Sequence, residues 1–393
     1  MVLDNDSYTE VTANSCCGNF IGSCIGAILG LVLFIAAFPL LWWNEQRSLE
    51  REKALWEAQQ VVVTVPANSV NPADEGKLVY LTGEATTGGT VADAVFGITR
   101  RVLKLRRTVE MYQWDETKDS RTIKDFGGGS HTITTYHYQK KWSDPLISSG
   151  SFRKPQGHTN PATKPFETKV FTAKRVHVGA FKLPPVLLEK MTWFADLPVT
   201  DDMLEQVPEA RRDTLQVAEG RFYRGKQPDT PQVGDVRIAF AVILPGPVSL
   251  VAQQAGASFA PYPTTHGEVV LLASGTVAIA NMFHTARVEN SVKTWVLRGV
   301  FWLVMLFGIC LVFGPTTAVA NIIPILGDIT DLVFLFTAAC ISAALSLLTI
   351  AVAWVVLRPL AGIPLLGASL VLLGLGLRVR HRGRGKRRRR RCR

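Results

Sequence analysis

The long water-compatible region of this 393-residue chain contains no cysteine and no glycosylation sequon. It runs from residue 44 to residue 298, between the first two of four apolar runs. All cysteines lie in or beside apolar runs or in the tail, at Cys16, Cys17, Cys24, Cys310, Cys340 and Cys392. The large region therefore cannot hold a disulfide framework or a zinc–thiolate site.

Catalytic signatures are missing as well. The region has no HExxH pair, no GxSxG elbow and no glycine-rich phosphate loop. His131 and His137 would share one face of a strand, but neither has a nearby carboxylate or cysteine, which favours solvated histidines over metal ligands. The aromatic residues favour a sheet core over a ligand cage: Tyr112, Trp114, Tyr136, Tyr138 and Trp142. We predict a protein that is not an enzyme and needs no cofactor or metal.

Charged residues and histidine are absent from four apolar runs, which cover residues 20–43, 299–320, 332–357 and 359–377. Each run can cross ~30 Å of hydrocarbon as a helix. We predict four transmembrane helices, a large domain over residues 44–298, and terminal segments 1–19 and 378–393. Spans without ionisable residues argue against a proton pump or an ion-coupled transporter. The alternative prediction is a channel or transporter subunit with a pore lined by hydroxyl groups.

The net charge of +11 comes from the tail, because residues 378–393 hold 11 Lys and Arg and no acidic residue. A neutral remainder makes nucleic acid an unfavoured partner. Counting basic residues near the spans favours cytoplasmic termini and a lumenal or extracellular large domain. The tail is interpreted as a topology signal at anionic lipid headgroups, or alternatively as a nuclear-import patch. Its basic core consists of Lys386, Arg387, Arg388, Arg389, Arg390 and Arg391.

Small residues mark the start of the first apolar run. Glycine recurs every fourth residue, at Gly18, Gly22, Gly26 and Gly30. On a helix these glycines form one stripe where another backbone can approach closely, so we predict helix packing and self-association, with a helix of the same chain as the alternative partner. Cys16 and Cys17, just before the run, are candidates for S-palmitoylation; the alternative is that they are only small residues at a helix entrance.

The large domain combines a helical start with strand signals. Residues 44–60 continue the first helix, and strands are predicted over 77–82, 108–114, 131–142, 169–178, 235–244 and 268–273. A Gly-rich turn at residues 126–130 predicts a hairpin. Helices are predicted near 183–195 and 201–218. The predicted fold class is α+β, dominated by antiparallel sheet.

Several short motifs resemble the LUMA family, also called transmembrane protein forty-three. They include Asn44, Glu45 and Arg47 after the first span, residues 75–79, and residues 106–114 (RRTVEMYQW). Further matching residues are Gly157, His158, Asn160, Pro161, residues 233–237, Asn290, Ser291, Lys293, Thr294, Trp295 and residues 358–360. The similarity runs in order from about residue 40 to 362.

This resemblance implies a four-span, multi-pass protein of the endoplasmic reticulum and nuclear inner membrane with a lumenal domain. It implies a scaffold that self-associates and organises nuclear-envelope partners such as lamins and emerin. It carries over no catalytic residue. The first 20 residues and the polyarginine tail depart from the family pattern, so the resemblance does not extend to the targeting role of the tail.

Overall fold

The computed structural model describes residues 6–14, 16–124, 129–315 and 324–357, with side chains at 6–13, 22–123, 129–315 and 332–357. Its described residues divide into two compact units. The first holds residues 6–12, 54–122 and 132–286, and the second holds the remaining ones. The described helices are α1 (Cys16–Val61), α2 (Pro185–Glu189), α3 (Asp201–Glu205), α4 (Glu209–Arg212), α5 (Ile279–Val312) and α6 (Pro324–Leu357).

Three of these helices are long and apolar enough to cross a membrane, with candidate spans Gly22–Val61, Ile279–Val312 and Leu332–Leu357. They confirm three of the four predicted spans. Each continues beyond its apolar run, since α1 ends at Val61 and α5 begins at Ile279. The fourth predicted span, residues 359–377, and the tail lie outside the described residues.

Strands make up most of the first unit. The described strands are β1 (Asp6–Asn14), β2 (Val63–Thr64), β3 (Leu78–Thr87), β4 (Val91–Asp93), β5 (Ile98–Arg100), β6 (Lys104–Lys124), β7 (Ser130–Ser143), β8 (Lys169–Thr172), β9 (Val176–Val178), β10 (Phe181–Lys182), β11 (Ala195–Leu197), β12 (Gln216–Ala218), β13 (Arg221–Arg224), β14 (Val236–Ile243), β15 (Gly246–Ala255), β16 (Ser258–Ala260), β17 (Tyr262–Thr264), β18 (Gly267–Val269) and β19 (Leu271–Ser274).

Two large sheets and two small hairpins contain these strands. One sheet has the order β1-β7-β6-β14-β13-β12, with β8 on β6 and β11 on β14. The other has the order β10-β9-β3-β15-β16, with β19 on β15 and β2 on β3. The long pairs β14–β6 and β15–β3 are antiparallel, and the short β2–β3 contact is parallel. The predicted antiparallel α+β class is confirmed for the described residues.

One apolar core takes side chains from both large sheets. Val109 and Phe222 of the first sheet join Leu81 and Leu250 of the second in the same buried cluster. Phe96, from the β4–β5 turn, stacks on Phe222 with ring centroids 5.6 Å apart. Burying an aromatic side chain contributes roughly 1.5–3 kcal/mol, so this core sets the stability of the unit.

The ends of two membrane helices belong to a second core of the first unit. Leu55 and Ala58 of α1 and Phe283 of α5 pack with Leu78 and Val251 of the second sheet. The prediction that residues 44–60 continue the first helix is therefore confirmed.

All six predicted strand regions contain strands, and the β6–β7 hairpin is confirmed, although residues 125–128 of its turn lie outside the described part. The two long helical predictions were wrong in extent. Residues 183–195 hold only α2 and the start of β11, and residues 201–218 hold α3, α4 and β12. Pro208 separates α3 from α4, because proline disfavours helix in the residue before it.

Residues 6–14 form β1 beside β7, although the sequence suggested only a separate N-terminal segment. The Thr9 Oγ1 lies 3.3 Å from the Thr135 Oγ1, and the His158 Nε2 lies 2.7 Å from the Asp6 Oδ2. The predicted terminal segment 1–19 therefore contains β1 and the first residues of α1, and it is not a separate element. The membrane side of residues 1–19 stays a prediction.

Candidate functional site: a polar clasp on the membrane helices

The second unit contains a small bundle of α1, α5 and α6. Its buried residues include Ala37 and Leu41 of α1, Met305 and Ile309 of α5, and Ala338 of α6. Small residues on two of the three helices let the backbones come close, as is common between membrane helices. At one end of this bundle the apolar contacts give way to a dense set of polar ones.

Glu45 is the centre of these polar contacts and joins all three helices. Its two carboxylate oxygens accept hydrogen bonds from the Arg298 Nε and Nη2 on α5, each at 2.7 Å. The indole N–H of Trp354 on α6 donates to the same carboxylate at 2.8 Å. The Glu45 side chain is 4% exposed and that of Arg298 is 13% exposed. The guanidinium also lies over the Trp295 ring, 4.6 Å from its centroid.

A second layer of hydrogen bonds ties α1 to α5. The Asn44 Nδ2 donates to the Thr294 carbonyl at 3.1 Å, and the Asn290 Nδ2 donates to the Ser48 carbonyl at 2.9 Å. Arg47 donates to the Asn290 Oδ1 at 3.2 Å and to the Thr294 Oγ1 at 3.1 Å. Each helix therefore bonds to the main chain of the other. We call the following residues the polar clasp: Asn44, Glu45, Arg47, Ser48, Asn290, Thr294, Arg298 and Trp354.

Helical spacing explains why these residues meet. Asn290, Thr294 and Arg298 recur every fourth residue and share one face of α5, and Asn44 and Ser48 have the same spacing on α1. The clasp residues of α1 directly follow the apolar run 20–43, and those of α5 directly precede the run 299–320. Polar side chains at that position can pair with each other before either helix enters hydrocarbon.

The chemistry of the clasp is structural. Both oxygens of Glu45 are engaged by protein donors, so the carboxylate is not available as a general base. The residues described by the structure contain no group of three or more His, Cys, Asp or Glu side chains that could hold a metal ion. The clasp therefore fixes the positions of helices.

The glycine stripe is used partly within the chain. A Cβ built on Gly30 would lie 2.7 Å from the Gly308 carbonyl oxygen and 2.8 Å from the Val312 nitrogen. A Cβ on Gly26 would meet Leu311 at an ordinary 3.6 Å, and one on Gly22 would meet nothing within 4 Å. Close packing of α1 on α5 accounts for Gly30, and self-association through the stripe stays a prediction.

Other predicted site residues fall outside the described side chains. Gly18, Cys16 and Cys17 lie in α1, but the structure does not describe their side chains. Lys386, Arg387, Arg388, Arg389, Arg390 and Arg391 are likewise outside it. So are Thr316 and Thr317, two hydroxyl residues of the second apolar run that could line the pore of the alternative channel subunit. Sequence reasoning counted Arg298 only among the basic residues near the spans that set the predicted topology, and it assigned no role to Trp354. The spacing of Asn290, Thr294 and Arg298 was the signal that could have identified the clasp face.

Hydroxyl groups of the described spans bond locally. The Ser342 hydroxyl donates to the Ala339 carbonyl at 3.0 Å, and the Thr349 hydroxyl donates to the Leu345 carbonyl at 2.8 Å. The buried Ser346 hydroxyl lies 3.5 Å from the Met305 sulfur. Bonds of this kind satisfy a hydroxyl inside a helix bundle without water.

A buried aromatic cluster in the first unit joins two motifs of the family resemblance. The His158 ring stacks on Tyr138 with centroids 3.9 Å apart and meets the Trp114 ring edge-on at 4.7 Å. Burial, with a hydrogen bond from the Tyr138 hydroxyl to Glu116, raises the pKa of Tyr138 to about 12. The Asn160 side chain bonds to the main-chain N–H and carbonyl of Trp114 at 2.7 and 2.9 Å. The polar atoms of this aromatic cluster therefore find hydrogen-bond partners within the protein, as expected of a sheet core.

Two open grooves lie on the described surface of the first unit. One of 460 Å³ is lined by threonine, glycine and other residues with Lys174 and Arg175, and one of 430 Å³ is lined by residues including Arg224 and Asp235. The Asp235 carboxylate accepts hydrogen bonds from the Tyr223 hydroxyl at 2.6 Å and the Gln232 N–H at 2.8 Å. It is therefore a turn-stabilising residue of the described fold.

Comparison with known proteins identifies the family. A family model described as Transmembrane protein 43 matches residues 111–359. Transmembrane protein 43 of Homo sapiens is 32% identical over 358 residues, which is 88% of each chain. The Rattus norvegicus protein is 33% identical over 347 residues, 85% of each chain, and the Drosophila melanogaster homolog is 32% identical over 353 residues, 87% of this chain and 92% of its own. No solved structure matches. By these matches the chain belongs to the Transmembrane protein 43, or LUMA, family of membrane proteins.

Proposed function

We propose that the chain is a non-enzymatic scaffold of the endoplasmic reticulum and nuclear inner membrane. Residues 44–298 lie in the lumen in this proposal, and both termini lie in the cytoplasm or nucleoplasm. The basic tail contacts anionic lipid headgroups, and the protein works as a homo-oligomer that holds nuclear-envelope proteins of the lamin or emerin kind. The family membership supports the membrane class, and the partners rest on the resemblance.

The polar clasp is the observation that carries the scaffold role. A scaffold needs membrane helices in one fixed arrangement, and a channel needs helices that enclose a hydrated path. Glu45 is buried at the end of the bundle, and the part-buried Arg298 pairs with it. Removing one partner of such a pair costs ~3–5 kcal/mol, because the other charge stays buried and unpaired, so the pair specifies one arrangement of the three helices. The hydroxyls of Ser342 and Thr349 donate hydrogen bonds to carbonyls of their own helix, so these hydroxyls do not form a hydrated path in the described spans.

Reconstitution into liposomes separates the scaffold from the channel. We expect ion flux no greater than in protein-free liposomes, and we expect two differently tagged copies of the chain to co-purify. Flux that depends on the protein would reject the scaffold in favour of the channel subunit. The matched control is Thr349→Val, which keeps the side-chain volume and removes a hydroxyl: it would lower a flux carried by the spans and leave co-purification unchanged.

Proximity labelling tests the proposed partners. A labelling enzyme inserted at the exposed loop near Asp229 should modify lumenal proteins of the nuclear envelope and endoplasmic reticulum. The same enzyme fused after Arg393 should modify cytoplasmic or nucleoplasmic proteins. Labelling of cytoplasmic proteins by the loop fusion would contradict the lumenal placement of the domain.

A further inference from the structure

One face of α5 carries apolar side chains that stay exposed among the described residues. They recur at the spacing of an apolar helix face, i, i+4, i+7 and i+8. Each is between 45% and 66% exposed. The clasp residues of α5 lie on the opposite face of the helix, where they bond to α1. We call the following residues the α5 stripe: Val288, Val292, Trp295 and Val296.

The α5 stripe continues into the exposed face of a candidate membrane span. Val300, Leu303 and Phe307 follow it along α5 and are 44%, 53% and 57% exposed. The helix Ile279–Val312 that carries them is long and apolar enough to cross a membrane. On such a span, lipid covers the apolar side chains that face away from the bundle. Because the stripe and this face form one surface, the bilayer is the cover that fits both.

The length of α5 places the stripe within the bilayer. A hydrocarbon core of ~30 Å takes ~20 helical residues at ~1.5 Å per residue. Counted back from the end of α5 at Val312, these residues reach Lys293. The headgroup layer adds roughly 5–7 Å, or ~3–5 residues, on each side. The bilayer therefore extends to about residue 288, and the apolar run 299–320 by itself begins too late along α5.

Tryptophan marks the same level on α1 and α5. The hydrogen bond from the Asn44 Nδ2 to the Thr294 carbonyl sets these two residues side by side. The next residues toward the apolar runs, Trp43 and Trp295, are 51% and 66% exposed. Tryptophan is enriched at the boundary between membrane and water, so this boundary passes near both rings.

The outer faces of α1 and α5 differ on the water side of these tryptophans. The two helices are antiparallel, and the bonds between their clasp residues set the register. Val292 lies level with Gln46. One turn farther out, Val288 lies level with Glu50. Gln46 and Glu50 are exposed and bond to each other at 2.9 Å. Since α5 presents valine where α1 presents an amide and a carboxylate, the bilayer covers more of α5 than of α1.

We propose that the α5 stripe is a lipid-contact surface and that the bundle is inclined toward it, so that α5 enters the bilayer about two turns before its apolar run. The inference goes beyond the proposed function and holds for either orientation of the chain across the membrane. It also places the polar clasp at the depth of the boundary, where hydrogen bonds within the protein replace those to water.

Fluorescent probes on single cysteines measure the depth of the two helices. In the full-length protein with its six native cysteines replaced by alanine, a bimane probe would be attached at Val292→Cys. Gln46→Cys is the matched control, because it is exposed at the same level on α1, and Leu303→Cys marks the span. Each protein would be reconstituted into phosphatidylcholine vesicles that contain lipids brominated near the carbonyl end of the acyl chains. The measurement is the quenching of bimane fluorescence by these lipids.

We expect at least twofold more quenching of the probe at Val292 than of the probe at Gln46, and strong quenching at Leu303. Equal quenching at Val292 and Gln46, or an unquenched Val292 beside a quenched Leu303, would overturn the lipid surface. Shielding of the Val292 probe from aqueous iodide as well as from brominated lipid would show a cover of protein, such as a second copy, and would also overturn it. An unquenched Leu303 would reject the span and the lipid surface together.

Native tryptophan fluorescence gives a second measurement that needs no cysteine replacement. Brominated lipids should quench the fluorescence of Trp295, so Trp295→Phe should lower the quenched part of the signal. Trp56→Phe is the control, because Trp56 is also exposed, at 63%, but lies ~20 Å along α1 from Trp43. Equal effects of the two substitutions on the quenched part would contradict the proposed depth of the α5 stripe.

Discussion

Removing Arg298 should destabilise the helix bundle strongly, because it leaves Glu45 charged and buried. The Glu45 side chain is 4% exposed, and after Arg298→Leu only the Trp354 N–H would remain to it. Loss of one partner of a buried ion pair costs ~3–5 kcal/mol. Glu45→Leu should cost less than Arg298→Leu, because the remaining guanidinium is 13% exposed and stays over the Trp295 ring.

The double variant makes the test specific. Replacing both charges by leucine removes the unpaired charge, and such exchanges are often close to neutral. We therefore expect Glu45→Leu with Arg298→Leu to be more stable than Arg298→Leu alone. Unfolding by SDS in mixed micelles, followed by far-ultraviolet circular dichroism, measures the free energy of unfolding of each variant.

An ion pair with an exposed lysine is the control. Lys77 lies 3.0 Å from Asp74 and its side chain is 51% exposed, and Asp74, at 12% exposed, keeps the hydrogen bond from the Asn71 Nδ2 at 2.9 Å when Lys77 is replaced. Such surface pairs contribute ~0–1 kcal/mol, so Lys77→Leu should barely change the free energy of unfolding. Additive effects of Glu45→Leu and Arg298→Leu, or single effects below ~1 kcal/mol, would refute the account of the clasp.

Three further predictions concern packing, topology and the tail. Gly30→Leu should lower stability by ~1–3 kcal/mol through overpacking and reduce protein abundance, whereas Gly22→Leu should not; equal abundance of the two would contradict the α1–α5 contact. A glycosylation acceptor near Gly127 should be modified in cells and one near Asp4 should not, and the opposite pattern on gels would invert the topology. Replacing residues 386–391 by Gln should leave the protein membrane-inserted but reduce the fluorescence of a tagged copy at the nuclear rim. Unchanged fluorescence at the rim would show that the tail does not direct targeting.

The sequence alone determined the three described membrane helices and the strands of six regions, which are fewer than half of the described strands. Helices α1, α5 and α6 follow from apolar runs long enough for the bilayer, because length and absence of charge are local properties. Strands β3, β7 and β14 follow from branched and aromatic residues bounded by turn residues. Local patterns failed at β15, a central strand of the second sheet. It begins at Gly246-Pro247 and is buried on both faces, so it lacks the alternation that marks a half-buried strand.

Only the tertiary structure decided which residues act together. Glu45 and Arg298 are 253 positions apart, and Trp354 is farther still along the chain. Considered alone, each of these residues is an ordinary polar or aromatic residue near the end of a span. These side chains meet because α1 and α5 cross, and the close approach of Gly30 to Gly308 permits this crossing. Such pairing is a property of helix packing, which sequence spacing within one helix cannot specify.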